Sequence, residues 1–530
     1  MTTGLPTPDL IAAKSAVDLA GEVVVAATSR LASSSIDREQ VLAYDLAHAA
    51  SALEAGRTML DYGAHGEVEA SIACAFIADA LAELAAKLFG REPEWGCEPG
   101  VLDETREFVA AFRGAGFLAS LAERPGQRHL DSDFELVQDT FRRFAEEKIK
   151  PVAEHVHREN TDIPEDIIGG LAEMGGFGLS VPEEYGGYSM GGESEYIGMV
   201  VATEELSRGS LGAGGSLITR PEILTRALLA GGTEEQKQSW LPRLASAEVM
   251  VAVAVTEPDF GSDVAGIKVT ATPTDGGWLI NGVKTWCTFG ARANVLMLLA
   301  RTDPDRSKTH RGLSMFVVPK EVGDAEGFEF TQDGGGKMEG RPIDTIGYRG
   351  MHSYEVAFDD WFVAAENQVG LEAGLGRGFY YQMAGFENGR LQTAARAIGV
   401  MQAAYEDAVA YAGDRSAFGQ PVLGYQLTQA KLGRMAVLIQ TARQFAYRVA
   451  RLMAAGGGQL EASMVKAYVC KAAEWVTREA MQIHGGYGYA EEYAVSRYFV
   501  DARVLSIFEG ADETLCLKVI ARRLVESARR

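Results

Sequence analysis

The sequence predicts an α+β protein in which helices come first and last and strands are gathered in the middle. Three observations carry this reading. Alanine-rich helical spacing runs from Asp9 to about Gly90, a block of short β-branched runs follows Glu248, and the helical period returns from Gly378 to the end. The chain has 530 residues, 47% of them hydrophobic, so it can bury several cores. Breaks in composition divide it at residues 1–128, 129–248, 249–372 and 373–530.

In the first region Ala73, Phe76, Ile77, Ala80, Leu81, Leu84 and Leu88 line one face of a helix, and such a face must be covered. Residues 91–100 (REPEWGCEPG) and 124–133 break the pattern, which makes residues 1–128 a separate helical module. Helical patterning resumes over 134–150, where Pro151 is expected to stop it, and over 163–174, with Pro164 in a first turn. Gly175, Gly176, Gly186, Gly187, Gly191 and Gly192 crowd the next loops. They lack the βαβ context, a strand leading into the glycines and a helix opening from them, that a dinucleotide fingerprint requires.

Residues 249–256, 267–272, 278–281, 295–300 and 313–318 are short apolar or β-branched runs separated by Gly, Pro, Asn and Asp. No helix of normal length separates them, so an antiparallel barrel or sandwich is expected. Asn281-Gly282 between apolar runs reads as a hairpin turn. In the last region Leu391, Ala394, Ala395, Ile398, Met401, Ala404, Tyr405, Ala408 and Val409 form the wide apolar stripe of a helix inside a bundle.

A net charge of −23 argues against a nucleic-acid partner, because phosphate backbones call for clustered Lys and Arg. Five scattered cysteines without a CxxC pair suggest neither a disulfide framework nor a structural zinc site, and no metal is expected. Residues 1–14 lack a basic segment followed by an apolar run, and no run of about 18 uncharged apolar residues occurs. A soluble cytoplasmic protein, without membrane association or a cleaved address, is expected.

Four motifs carry chemistry. Residues 256–263 (TEPDFGSD) place small residues and hydroxyls at a strand end, where backbone N–H groups can approach an anionic or carbonyl-rich ligand. Residues 281–288 (NGVKTWCT) offer a flat apolar wall, Trp286, and a hydroxyl, Thr288. Residues 415–419 (RSAFG), with Gln426 downstream, provide a guanidinium suited to a pyrophosphate, and residues 482–488 (QIHGGYG) form a glycine turn. The last is Phe508-Glu509-Gly510.

In this order the motifs resemble those of the acyl-CoA dehydrogenase family, from about Asp133 to the C-terminus. The resemblance implies a helical domain, a central antiparallel β-domain and a C-terminal four-helix bundle, preceded here by an extra helical domain, and it implies an FAD cofactor. By resemblance Val255, Thr256, Gly261, Ser262, Trp286 and Thr288 contact FAD, with Thr288 at flavin N5. Arg415, Phe418, Gln426, Gln482, Gly485 and Gly486 reach the FAD of a neighbouring subunit, which implies a homodimer or homotetramer. Glu509 matches the base that removes the α-proton of an acyl-CoA thioester while hydride passes from the β-carbon to the flavin. The rival base position of some relatives, just before Arg390, is occupied by Gly389. The chain departs from the family at Ala511-Asp512-Glu513, where Thr-Ser-Gln is commoner, so no cofactor contact is assigned to that turn. An electron-transfer flavoprotein is the acceptor the resemblance implies.

The stretches 219–223 (TRPEI), 312–316 (GLSMF) and 346–351 (IGYRGM) resemble family members that oxidise a branched dicarboxylic thioester. A distal carboxylate needs a cation, because burying it unpaired costs several kcal/mol. Arg220 is the first candidate, with Tyr348 and Arg349 behind it, and Arg390 is counted among the substrate-binding residues; a surface or CoA-phosphate contact is the alternative for Arg220. The competing functions are a straight- or branched-chain fatty acyl-CoA dehydrogenase, an acyl-CoA oxidase and a catalytically silent paralogue.

Overall fold

The computed structural model describes residues 4–530, which form two compact bodies. One combines the N-terminal stretch to Leu136 with Thr393–Arg530; the other is Val137–Gln392.

The first body is helical. Three long helices, α1 (Leu10–Ala32), α2 (Gln40–Gly63) and α3 (Glu67–Leu88), pack on one another. Asp9 caps α1 by accepting from the Ile11 and Ala12 N–H groups, which satisfies donors that a helix start leaves open. Of the apolar face expected on α3, all seven residues are buried except Ala80, which is partly so. That face and α2 lie on the helices Gln426–Ala454 and Gln459–His484. These two, with Ala494–Leu505 and the helix Gly378–Asp414 from Thr393 onward, make the C-terminal bundle. Its apolar stripe is buried from Leu391 to Ala408, with Val409 partly covered. A cavity of about 350 Å³ lies between α1–α3 and the bundle, bordered by Tyr44, His48, Leu53, Leu81, Lys471 and Trp475.

The second body holds an eight-stranded sheet: β1 (Val251–Ala254), β2 (Thr270–Thr274), β3 (Gly277–Thr288), β4 (Val295–Arg301), β5 (Leu313–Pro319), β6 (Phe328–Thr331), β7 (Lys337–Ile343) and β8 (Ser353–Ala364). Its order is β1-β4-β2-β3-β8-β7-β6, with β5 on β4. Most pairs are antiparallel, as expected, but β1, and β2 at Thr270, run parallel to β4. The helices Thr219–Gly231 and Glu234–Ala245 cover one face, packing Leu224, Leu228, Leu241 and Leu244 against Val251, Met297, Met315 and Val317. Burial of such side chains contributes about 1.5–3 kcal/mol each. The glycine cluster 175–192 forms turns before a helix, Gly192–Gly209, and among the described residues no strand precedes it.

Two local expectations are corrected. Pro151 does not stop its helix. Ser132–Phe144 passes through a π-turn, Ala145–Ile149, into Lys150–Glu159, with Pro151 at the start of the last segment. The wider turn relieves the clash and the missing donor that a proline brings to a regular helix. Asn281-Gly282 is not a hairpin turn either, because β3 runs straight through it. The register against β8 shifts there, Gly282 has φ +126°, and the Asn281 amide exchanges hydrogen bonds with Asp360, donating to its carboxylate at 2.8 Å and accepting from its N–H at 2.9 Å. An Asn-Gly pair suits a bulge as well as a turn, since both need positive φ. The hairpin lies instead at Asp275-Gly276, between β2 and β3.

Gly433 of the helix Gln426–Ala454 lies under the Leu118 carbonyl: a Cβ there would stand 1.8 Å from that oxygen. Gly433→Ala is expected to destabilise the first body by about 1–3 kcal/mol. Thermal denaturation measures this, and an unchanged melting temperature would contradict the close approach.

Candidate functional site

In the second body two of the motifs are stapled together from beneath. Lys284, on β3, is wholly buried, and its Nζ donates to the Val255 carbonyl at 2.8 Å and to Glu257 Oε1 at 2.9 Å. Glu257 in turn accepts from the Lys268 and Val269 N–H groups at 2.6 and 2.8 Å. Burial pulls the Lys284 ammonium down to about 8, although the Glu257 carboxylate beside it acts in the opposite sense. The Thr285 N–H donates to the Thr256 carbonyl at 2.8 Å. Val255, Thr256, Trp286 and Thr288 are thereby gathered on one framework, and the loop with Gly261 and Ser262 leaves from it. Neither Glu257 nor Lys284 was singled out from sequence, although a charge inside each apolar strand motif was the available signal.

Between Lys284 and Cys287 the β3–β8 register shifts again, and Trp286 takes φ +58°. This bulge turns the indole outward, 54% exposed, while Thr288 is buried and its hydroxyl lies 3.1 Å from that of Ser353. A half-exposed tryptophan beside a buried hydroxyl forms a wall with one polar point. Around Gly261 the space for a Cβ is open, so a ligand can approach the backbone there.

Arg220 stands at the start of the helix Thr219–Gly231, 6% exposed, and its Nη2 donates to the Tyr348 hydroxyl at 3.2 Å. Tyr348, at φ +59°, belongs to a loop that returns to β3: the Phe289 N–H bonds the Met351 and His352 carbonyls at 2.9 and 2.7 Å. A buried cation and Thr288 are therefore tied to one connected backbone. Arg349 spends its guanidinium on the Thr345 and His157 carbonyls, at 3.0 and 2.9 Å, and so holds this loop to the helix Lys150–Glu159. Arg390 is carried by the helix Gly378–Asp414, which meets the Arg220 helix closely: Asn388 hydrogen-bonds Glu222, and a Cβ on Gly385 would lie 2.9 Å from Ile223.

In the first body Arg415, Phe418, Gln426, Gln482, Gly485 and Gly486 are all exposed, and Phe418 is completely so. The Arg415 guanidinium stands 5.9 Å from the Tyr487 ring, which brings the third motif onto the glycine turn Gly485–Tyr489. No atom lies within 4 Å of a Cβ placed on Gly485 or Gly486. His484 is packed, stacked on Tyr411 at 4.1 Å with Nδ1 2.8 Å from the Ala480 carbonyl, and burial lowers its basicity. Glu509 is partly exposed with φ +54°, followed by Gly510 at φ +100°. A non-glycine residue in this region is strained by about 1–3 kcal/mol, and such strain collects at functional turns. The turn is clamped: Lys466 Nζ donates to the Gly510 carbonyl at 2.6 Å, and the Arg396 guanidinium stands 4.7 Å from the Phe508 ring.

The chain matches the acyl-CoA dehydrogenase N-terminal domain over residues 131–248, the middle domain over 252–361 and the C-terminal domain over 376–525. It is 40% identical over 528 residues to (2S)-methylsuccinyl-CoA dehydrogenase of Cereibacter sphaeroides, covering 95% of this chain and 94% of that protein. Among solved structures it resembles a glutaryl-coenzyme A dehydrogenase in complex with glutaryl-CoA (TM-score 0.68, 31% identity, 76% of this chain and 98% of that one). It also resembles a glutaryl-CoA dehydrogenase from Mycobacterium smegmatis in complex with FADH2 (TM-score 0.65, 26% identity, 74% and 95%). In the second body the outward indole and the open backbone at Gly261 fit a flat ring, and in the first body the exposed Arg415 beside its open glycine turn fits an anionic group.

Lys284→Met leaves Glu257 buried without its partner, a change that costs about 3–5 kcal/mol. The purified variant is expected to melt earlier and to carry less flavin per chain by visible absorbance. Full flavin content at an unchanged melting temperature would show that the staple does not hold the site.

Proposed function

Because the chain belongs to the acyl-CoA dehydrogenase family and is an FAD-dependent oxidoreductase acting on acyl-CoA thioesters, we propose that its substrate is (2S)-methylsuccinyl-CoA. The product is mesaconyl-CoA, a step of the ethylmalonyl-CoA pathway. The observation that carries the substrate reading is the buried Arg220 guanidinium on the Tyr348 hydroxyl. A distal carboxylate leaving water needs such a charge-assisted donor, whereas a fatty acyl chain gains nothing from it. The near full-length similarity to a protein of that activity supports the same reading.

In this reading Glu509 takes the α-proton, and its own backbone N–H stabilises the charge that develops on the thioester oxygen. FAD, when bound, supplies the acceptor for the hydride that leaves the β-carbon. Val255, Thr256, Gly261 and Ser262 present backbone and small side chains to the cofactor, Trp286 walls its ring, and Thr288, oriented by Ser353, offers the hydroxyl. Arg220 and Tyr348 receive the distal carboxylate, with Arg390 on the adjoining helix, while Arg349 holds their loop. The exposed set Arg415, Phe418, Gln426, Gln482, Gly485 and Gly486 completes the site of a second copy, so the working unit is at least a homodimer. Electrons leave to an electron-transfer flavoprotein in the cytoplasm. Among the described residues no helix is long and apolar enough to cross a membrane.

Turnover with methylsuccinyl-CoA is expected to exceed that with butyryl-CoA and isobutyryl-CoA, and equal rates would overturn the assignment. Arg220→Ala should raise KM for methylsuccinyl-CoA by roughly 30-fold or more, the effect of truncating one partner of a buried charge pair, with little change for the monocarboxylic substrates. Glu509→Gln should keep bound flavin and lower turnover by roughly 10²–10⁴-fold. Near-normal turnover in that variant would remove Glu509 from the mechanism. Recovery of bleached flavin in air with peroxide release, and without an added acceptor, would instead identify an oxidase.

A further inference from the structure

The three N-terminal helices have no part in the chemistry so far, yet one of them reaches the turn that carries Glu509. We propose that Tyr44 and His48 of α2 are positioning residues for the reaction: through Asp512 they hold the strained turn of residues 508–512, so the N-terminal layer takes part in catalysis. The inference rests on Glu509 being the base.

Tyr44 and His48 are one helical turn apart on α2 and point the same way. The Tyr44 hydroxyl donates to Asp512 Oδ2 at 2.5 Å, and His48 Nε2 lies 3.1 Å from the same oxygen. Their rings meet edge-on at 4.7 Å, which fixes each against the other. Asp512 is 3% exposed, and its N–H closes the turn on the Ser506 carbonyl at 3.1 Å. Glu509 and Gly510, both at positive φ, lie between these two anchor points. The bundle grips the turn from its own side through Lys466 and Arg396, and α2 grips it through Asp512. A left-handed glutamate persists only where its surroundings over-determine it. Asp512 supplies one of those determinants.

The chemistry of Asp512 fits a strut. Desolvation works to raise its carboxyl, but the bonds from His48 and Tyr44 and the charge of Lys471 outweigh it and hold the group at about 2. The carboxylate is ionised at working pH and accepts both α2 side chains. His48, Asp512 and Cys516 also present ligand atoms within 4.8 Å of one another. The Lys471 ammonium, 3.6 Å from Asp512, opposes a second cation there, and the Tyr44 proton already occupies the oxygen a metal would use. The departure at Ala511-Asp512-Glu513 from the commoner Thr-Ser-Gln acquires a reason: α2 needs a carboxylate to hold.

The test uses the full-length holoenzyme. Tyr44→Phe and Asp512→Ala are expected to lower kcat about ten-fold, the loss associated with one charge-assisted hydrogen bond, with KM and flavin content unchanged. Asp512→Asn, which keeps an acceptor for Tyr44, should recover most of that loss. Amide hydrogen exchange at residues 508–512 should quicken in Tyr44→Phe. Leu81→Ala, in the core of the same helical layer, should lower the melting temperature without lowering kcat. Wild-type kcat in both Tyr44→Phe and Asp512→Ala would overturn the proposal, as would an equal loss in Leu81→Ala, which marks a merely structural effect. Unchanged exchange in Tyr44→Phe overturns the hold on the turn whatever Glu509 does, whereas normal turnover in Glu509→Gln overturns the base assignment alone.

Discussion

A lysine that lies wholly out of water, shared between a carbonyl and a carboxylate, is the constraint on which the β-domain site depends. Lys284 cannot leave Glu257 without stranding a charge, and Glu257 cannot move without releasing the two N–H groups of residues 268 and 269. The pair therefore fixes the end of β1 against β3. Two motifs about 25 residues apart in sequence become one surface because of it. The bulge that turns Trp286 outward needs a strand that does not slip, and the staple one residue pair upstream prevents slipping. The buried arginine is a second consequence of the same rigidity, since its tyrosine partner sits on a loop bonded to the end of β3.

Much of this was legible in sequence wherever the signal was periodic or local. The apolar face of α3 and the stripe from Leu391 to Ala408 were visible because a helix repeats its environment every three to four residues. Five strands were visible because apolar runs were bounded by turn residues. The strands β6, β7 and β8 were not foreseen: Lys337–Ile343 mixes charge, glycine and proline, and only its partners on the sheet make it extended. Asn281-Gly282 misled for a related reason. Its bulge is defined by a strand nearly 80 residues away, and a dipeptide carries no record of that partner.

The site residues divide along the same line. Glu509, Thr288 and Arg220 stood out because each belongs to a compact motif. Tyr44 and His48 did not, because the carboxylate they hold is more than 460 residues further on and the contact exists only after folding. Pro151 signals a helix end by its general habit, and the π-turn that accommodates it is a tertiary choice with no sequence mark of its own.

The first body is assembled from both ends of the chain, with the whole of Val137–Gln392 between them. On the ribosome, α1, α2 and α3 emerge well before the bundle, carrying apolar faces whose cover is not yet made. They must wait for residues 393–530 to be made before the bundle arrives. That order lengthens the time during which sticky surface is exposed, so production of soluble protein is tied to chaperone supply and growth temperature. It also means that a prematurely terminated chain leaves those faces bare, a fragment suited to clearance by proteases.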